Sequence, residues 1–244
     1  MMSQLIEIIF SIFCTQIPLL RVDKMVNINS DSSVEQIVAR DTVAIRSFLA
    51  LGDSYTIGES VLSSERFPVQ TVKYLQDQGI HFSDPEIIAQ TGWTTGNLLS
   101  TLASAAPTKS TYDIVTLLIG VNNQYQHRTE QEYADEFLTL LNKAIQYAGN
   151  NKKRVIVLSI PDYGVTPFAN GINKATIAKE IDAFNAINKT ISNDAGVNYL
   201  DITAATRLAE NDLSLVASDG LHPSGWEYKV WAEGLLPIIK TALQ

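Results

Sequence analysis

The chain has 244 residues, a formal net charge of −8 and 45% hydrophobic residues. That balance suits a globular protein with a sizeable core, and it argues against a nucleic-acid binder, which carries a basic face or cluster. A single cysteine, Cys14, excludes an internal disulfide and a cysteine zinc site, and three histidines, His81, His127 and His222, leave histidine chemistry few places to occur.

Residues 1–44 stand apart from the rest. An apolar run from Leu5 to Leu20 is interrupted by Glu7, Gln16 and Pro18, which makes it too short and too broken for a transmembrane helix. It reads either as an export signal, with or without a lipid on Cys14, or as an extension ahead of an effective start at Met25. A secretory signal would want Lys or Arg before the run and a small-x-small cleavage site after it. A lipoprotein box would want a small residue in place of Phe13. Membrane association is expected only if this segment is an anchor, and the compartment depends on whether residues 1–24 are processed. Residues 23–44, rich in Asn, Ser and Asp, read as a linker with room for a short helix over Ser33–Ala39.

From residue 45 onward strands and helices alternate. The first strand is expected over Ile45–Leu51, and its apolar run stops abruptly at Gly52-Asp53-Ser54. A loop to Pro68 follows, then a helix through Val69, Val72 and Leu75 with Gly79 placed to end it. Glu86–Ala89 is a short second strand that runs into the polar loop Gln90–Gly96, and a helix through Leu98, Leu99 and Leu102 closes at Pro107. Asp113–Ile119 is the strongest strand and ends at Gly120-Val121-Asn122-Asn123. Its near-continuous apolar character suits a strand covered on both faces. A helix over Thr129–Ala148 comes next. The basic cluster Lys152-Lys153-Arg154 reads as a solvated strand entrance. The strand Arg154–Ile160 follows, then a long loop to Asn173, a helix of about 20 residues ending near Gly196, and a last strand over Val197–Ile202. The stretch Asp219-Gly220-Leu221-His222-Pro223 leads into a final helix containing Trp226, Val230, Trp231 and Leu235. The alternation predicts a doubly wound, mostly parallel sheet of about five strands with helices on both faces, a three-layer α/β/α sandwich.

In such a sheet the loops after the strands gather at one edge. Ser54, just past the first strand, is there a candidate nucleophile, and a serine hydroxyl needs a base within reach. Asp219 and His222 are three residues apart with Gly220 between them, so the carboxylate can hold one imidazole nitrogen and leave the other for Ser54. The bland account of the same residues is a helix-start turn, capped by Asp219 or Ser218, with His222 exposed. His81 and His127 sit in surface-type turns. For a developing oxyanion, three donors are at hand: the N–H of Ser54, the N–H of Gly92 and the side-chain amide of Asn122. Each has an ordinary structural explanation alone, and the argument lies in four loops each supplying a residue type that the chemistry needs.

Together these blocks resemble the SGNH, or GDSL-type, hydrolases. Gly52-Asp53-Ser54, the lone Gly92, Gly120-Val121-Asn122-Asn123 and Asp219 to Pro223 come in that family's order across residues 45–244. The resemblance implies a flavodoxin-like SGNH fold, Ser54 as nucleophile, His222 as base supported by Asp219, and an oxyanion hole of Ser54, Gly92 and Asn122. It implies cleavage of carboxylic esters or thioesters without metal or organic cofactor, on a small-molecule ester. Two positions depart from the family: Tyr55 stands for the usual Leu, and Asn123 for the usual Asp. Asp53 is expected to brace the turn. Trp93 and the loop Tyr163–Phe168 are expected to line an acyl or alcohol pocket, which favours lipid or aryl esters over sugar acetates, although core packing accounts for Phe168 equally well. The competing readings are a carbohydrate O-deacetylase on the same site, a metal-dependent phosphoesterase with Asp53, Asn122, Asp219 and His222 as ligands, and a non-catalytic carbohydrate- or lipid-binding module.

Overall fold

A computed structural model describes residues 44–244, so the expectations for the apolar N-terminal run, for Cys14 and for a helix over Ser33–Ala39 lie outside the described residues. Five strands form one parallel sheet: β1 Phe48–Asp53, β2 Glu86–Gln90, β3 Ile114–Leu118, β4 Val155–Leu158 and β5 Asn198–Leu200, in the order β2-β1-β3-β4-β5. The strands flanked on both sides are buried along their whole length, whereas edge strands β2 and β5 are only half-buried. This is why the apolar runs at β1, β3 and β4 stand out in the sequence and those of the edges do not.

The helices are α1 Ser54–Ile57, α2 Phe67–Gln76, α3 Thr95–Ser104, α4 Val121–Tyr125, α5 Glu130–Tyr147, α6 Lys174–Ala195, α7 Thr203–Thr206 and α8 Gly225–Ala242. Right-handed crossovers decide which face each one covers. The step from β1 to β2 runs opposite in direction to the steps from β2 to β3, β4 and β5. Helix α2 therefore covers one face, where it packs on α8, and α3, α5 and α6 cover the other. Phe67, Tyr228 and Trp231 fill the α2–α8 layer, and Tyr133, Phe137 and Phe184 fill the α5–α6 layer. No described helix is long and apolar enough to cross a membrane.

The ends of the strands differ from the sequence expectation in ways that matter for the site. β1 starts later and runs on through Gly52 and Asp53, which still pair with Ala89 and Gln90 of β2. Ile45 lies outside the strand and is exposed. β4 ends at Leu158; the Ser159 N–H still bonds the Leu200 carbonyl at 3.0 Å, and the N–H of Ile160 then turns to the side-chain oxygen of Asn185 at 2.8 Å. The long loop to Asn173 contains two 3₁₀ turns, Tyr163–Val165 and Pro167–Ala169. Lys152–Arg154 forms a solvent-facing 3₁₀ turn just before β4, as expected of a strand entrance.

Candidate active site

The strand order reverses direction between β1 and β3, and open α/β sheets bind ligands in the crevice at that point, beyond the C-terminal strand ends. Ser54 follows β1 and Asn122 follows β3 there. At the end of β1, Asp53 caps the single turn α1, its Oδ1 accepting the N–H of Tyr55 at 3.0 Å. The turn closes when the N–H groups of Gly58 and Glu59 donate to the Ser54 carbonyl at 3.1 and 3.0 Å. Gly52 is required because a Cβ there would collide with Thr56 and with the Leu118 carbonyl of β3. As the first residue of a helical turn, Ser54 has an N–H without an intrahelical acceptor.

The Asp219–His222 turn is densely bonded. Gly220 takes a φ of 73°. Asp219 Oδ1 accepts the N–H groups of Leu221 and His222 at 2.9 and 3.0 Å, and Asp219 Oδ2 lies 2.6 Å from His222 Nδ1. Ser60 Oγ donates to that same Oδ2 at 2.7 Å. Burial pushes the Asp219 pKa up, but the hydrogen bonds from His222, Leu221 and Ser60 outweigh it and hold the carboxyl at about 2. The cap of α8 is Ser224, and His222 is buried. The helix-start account of this motif is therefore not what the chain does.

Asn122 sits on α4, whose N-cap Gly120 has a φ of 134°, a conformation that L side chains rarely adopt. A Cβ there would also meet the Tyr133 ring at 2.6 Å. The Asn122 amide donates to the Trp93 carbonyl at 3.0 Å and, at a long 3.5 Å, to Asp53 Oδ2. Asn123, where the family pattern has Asp, is fully buried. It accepts the Thr95 N–H at 3.0 Å and donates to Thr95 Oγ1 at 2.6 Å, which fastens α4 to the start of α3. Burial pushes the Asp53 carboxyl up to about 7, against the hydrogen bonds from Tyr55 and Asn122.

Ser54, Asn122 and His222 line one open cavity of about 80 Å³, which Tyr125, Tyr163 and Phe168 also border. Those three rings contact one another at centroid distances of 5.9 to 6.2 Å. Phe168 is 43% exposed, which decides against core packing as its role. The loop carrying it is held by the Arg207–Asp162 ion pair at 2.9 Å and by the Phe168 N–H bonding the Gly220 carbonyl at 2.9 Å. A smaller void of about 20 Å³ lies behind the imidazole, bordered by Tyr55, Asp162 and Glu227.

Two expected residues do not line that cavity. Gly92, with a φ of 82°, is exposed on the neighbouring loop with nothing within 4 Å of a Cβ position. Trp93 packs against the core and meets the site through its carbonyl on Asn122. His81 and His127 are both exposed, His127 in a turn with a positive φ. Sequence reasoning missed Tyr125, which is three residues after Asn122 on one helical turn, and Ser60. Among the described residues no three His, Cys, Asp or Glu side chains gather into a group that could hold a metal ion. A carboxylate-held imidazole and a serine hydroxyl border one cavity, with amide donors nearby, and these are the group types that acyl transfer through a covalent intermediate uses.

The fold, a parallel sheet between two helix layers, and these blocks together define a hydrolase of the SGNH type. The profile of the GDSL-like lipase/acylhydrolase family matches residues 50–230, and the chain belongs to that family. It is accordingly a hydrolase of the esterase kind. Among curated proteins, none matches the sequence significantly. Solved structures share the fold at low identity. TesA is 17% identical over 81% of this chain and 100% of its own, with a TM-score of 0.62. A lipase/acylhydrolase from Enterococcus faecalis is 19% identical over 82% and 98%, with a TM-score of 0.62. Axe2, an acetylxylan esterase from Geobacillus stearothermophilus, is 17% identical over 81% and 95%, with a TM-score of 0.61.

Proposed function

We propose that the protein hydrolyses carboxylic esters of short acyl chains through an acyl-enzyme on Ser54. The observation that carries this reading is the buried imidazole of His222, held by the Asp219 carboxylate and lining the same cavity as Ser54. His222 takes the Ser54 proton as Oγ attacks the ester carbonyl. The N–H of Ser54, the N–H of Gly92 and the Asn122 amide receive the charge that develops on the carbonyl oxygen. When the intermediate collapses, the carbon–oxygen bond to the alcohol breaks and His222 returns the proton to the departing oxygen. Water then attacks the acyl-serine with His222 again as base, which releases the acid and restores Ser54. Asp219 holds the imidazole tautomer and stabilises the imidazolium.

The size of the cavity bears on the acyl group. About 80 Å³ is roughly half the volume of about 150 Å³ that holds a benzene ring in a protein interior. That supports acetyl- to butyryl-sized groups and moves the reading away from the longer chains that the apolar loop had favoured. The exposed faces of Tyr125 and Phe168 offer a platform for a ring-bearing alcohol, aryl or sugar. A carbohydrate deacetylase is thereby a specific form of the same reading, and the acetylxylan esterase among the structural neighbours is in keeping with it.

Turnover of p-nitrophenyl esters from acetate to palmitate by the wild type and by Ser54→Ala tests the proposal. The rate is expected to peak at the short esters and to fall by at least about 10³-fold in the variant. It should be insensitive to chelators and sensitive to serine-directed reagents. Activity that survives in Ser54→Ala sinks the mechanism.

A further inference from the structure

We propose that Glu59 and Ser60 form a clasp that holds the base and oxyanion loops in register with Ser54, with Ser60 as a positioning residue for the Asp219–His222 pair. The inference rests on the mechanism proposed above and assigns two residues that no part of that mechanism uses.

The clasp begins at the nucleophile itself. The Glu59 N–H bonds the Ser54 carbonyl at 3.0 Å, so the backbone of this segment is anchored to the residue whose position matters most. From there two consecutive side chains reach two different loops. The Glu59 carboxylate accepts a hydrogen bond from the Thr91 hydroxyl, next to Gly92. The Ser60 hydroxyl donates to Asp219 Oδ2 at 2.7 Å, across 159 positions of sequence. Nucleophile, oxyanion loop and base are thus joined by a pair of adjacent residues.

The backbone at Ser60 adds an independent observation. Its φ is 63°, and among the described residues only Ser60, His127 and Asn150 are non-glycine residues with positive φ. His127 and Asn150 lie in exposed turns with no side-chain bond to the site. A glycine would occupy position 60 without strain, but it would have no hydroxyl to offer Asp219. Strain held at a site by surrounding contacts points to a use for the side chain.

What the hydroxyl does follows from the oxygen it meets. Asp219 Oδ2 is also the oxygen 2.6 Å from His222 Nδ1. A donor on that oxygen fixes the rotation of the carboxylate toward the imidazole and draws off part of the charge that would otherwise act on the ring. Removing it leaves Oδ2 more strongly basic toward His222, which favours the imidazolium, and the acid limb of the rate profile then moves to higher pH. The other groups facing the imidazole stay in place. Tyr55 packs with its ring centroid 4.9 Å from that of His222, Asp162 is paired with Arg207, and Glu227 accepts the Trp231 Nε1–H at 2.8 Å.

The experiment is steady-state hydrolysis of p-nitrophenyl acetate from pH 4.5 to 9 by the wild type, Ser60→Gly, Ser60→Asn, Glu59→Ala and Ser54→Ala, with thermal melting of each. Ser60→Gly relieves the strain and removes the Cβ together with its hydroxyl. It should lower kcat about five- to tenfold, the worth of one hydrogen bond, with KM unchanged and the acid limb raised by roughly half a pH unit. Ser60→Asn tolerates positive φ and supplies an N–H donor, so it should restore most of both. Glu59→Ala should lower kcat without moving the limb. A Ser60→Gly enzyme with wild-type kcat and limb overturns the clasp, as does a loss of kcat with an unmoved limb that Ser60→Asn does not repair. If Ser54→Ala keeps its activity, the mechanism falls and the clasp falls with it; if Ser54→Ala is inactive and Ser60→Gly is wild-type, the clasp alone falls.

Discussion

The two sides of the cleft are built differently. On the base side, Asp219 receives four hydrogen bonds on two oxygens, and three of those donors lie within three residues of it in sequence. On the oxyanion side, the amide of Asn122 is aimed by groups far away in the chain, the Trp93 carbonyl and Asp53, and Gly92 stands exposed on its loop. A local turn can fix a carboxylate and an imidazole nearly by itself. A donor for a developing charge must be placed by the ends of several strands at once. One hydrogen of the Asn122 amide is well held at 3.0 Å, and the other rests on a 3.5 Å contact that is weak by geometry. If Asn122 is an oxyanion donor, the weakly held hydrogen is the one that the developing charge would take over.

The largest effect expected from disturbing this contrast is on Asn122. If its amide receives the charge, Asn122→Ala should lower kcat by about 10²- to 10³-fold with little change in KM, the usual cost of removing one oxyanion donor. Kinetics on a short p-nitrophenyl ester checks this. A loss of less than about threefold would mean that the amide stays on Trp93 throughout turnover, and that the oxyanion side consists of backbone N–H groups alone.

The next effect separates the sides by pH. Asp53 is buried, and its carboxyl is pushed from 3.8 up to about 7 in the folded chain. A raised folded pKa means that the native state holds the proton more tightly than the unfolded state. The resulting stability is fully present below about pH 4 and is lost as pH rises through about 7. Between pH 5 and 8 the wild type should lose on the order of 2 kcal/mol from this source. Asp53→Asn removes the titration, so its denaturant midpoint should change less than that of the wild type over the same interval. Asp219 has the opposite sign: its lowered pKa contributes stability above about pH 4 that disappears as pH falls toward 2. Equal pH dependence in wild type and Asp53→Asn would show that the Asp53 carboxyl is ionised in the fold.

The same contrast decides what could be read from the sequence. The base turn was legible because Asp219, Gly220 and His222 are neighbours, so their spacing allows the contact, and it took the other three blocks to set it above a helix-start turn. The fold was legible because β1, β3 and β4 are buried on both faces and show as unbroken apolar runs. The late start of β1 was hidden, since Ile45 is as apolar as the strand residues but exposed. Ser60 was hidden for a different reason. Its partner is 159 residues away, and its positive φ leaves no mark in a serine. Tyr125 could have been found had Asn122 been taken as helical, because three residues later is the same face of a turn.

The smallest expected effect concerns the aromatic wall, which joins the base side through the Phe168 N–H on the Gly220 carbonyl. Phe168→Ala removes a half-exposed ring and leaves that backbone bond in place. If the ring serves as a platform for the alcohol, KM for an aryl ester should rise about three- to fivefold, the worth of a partly buried ring contact, with kcat nearly unchanged. Ethyl acetate, whose alcohol has no ring to stack, should lose much less. The distinction lies in which parameter moves. A fall in kcat shared by both esters would mean that Phe168 acts through Gly220 on the Asp219–His222 turn. The wall would then belong to the scaffolding of the base side, and the leaving group would be recognised elsewhere.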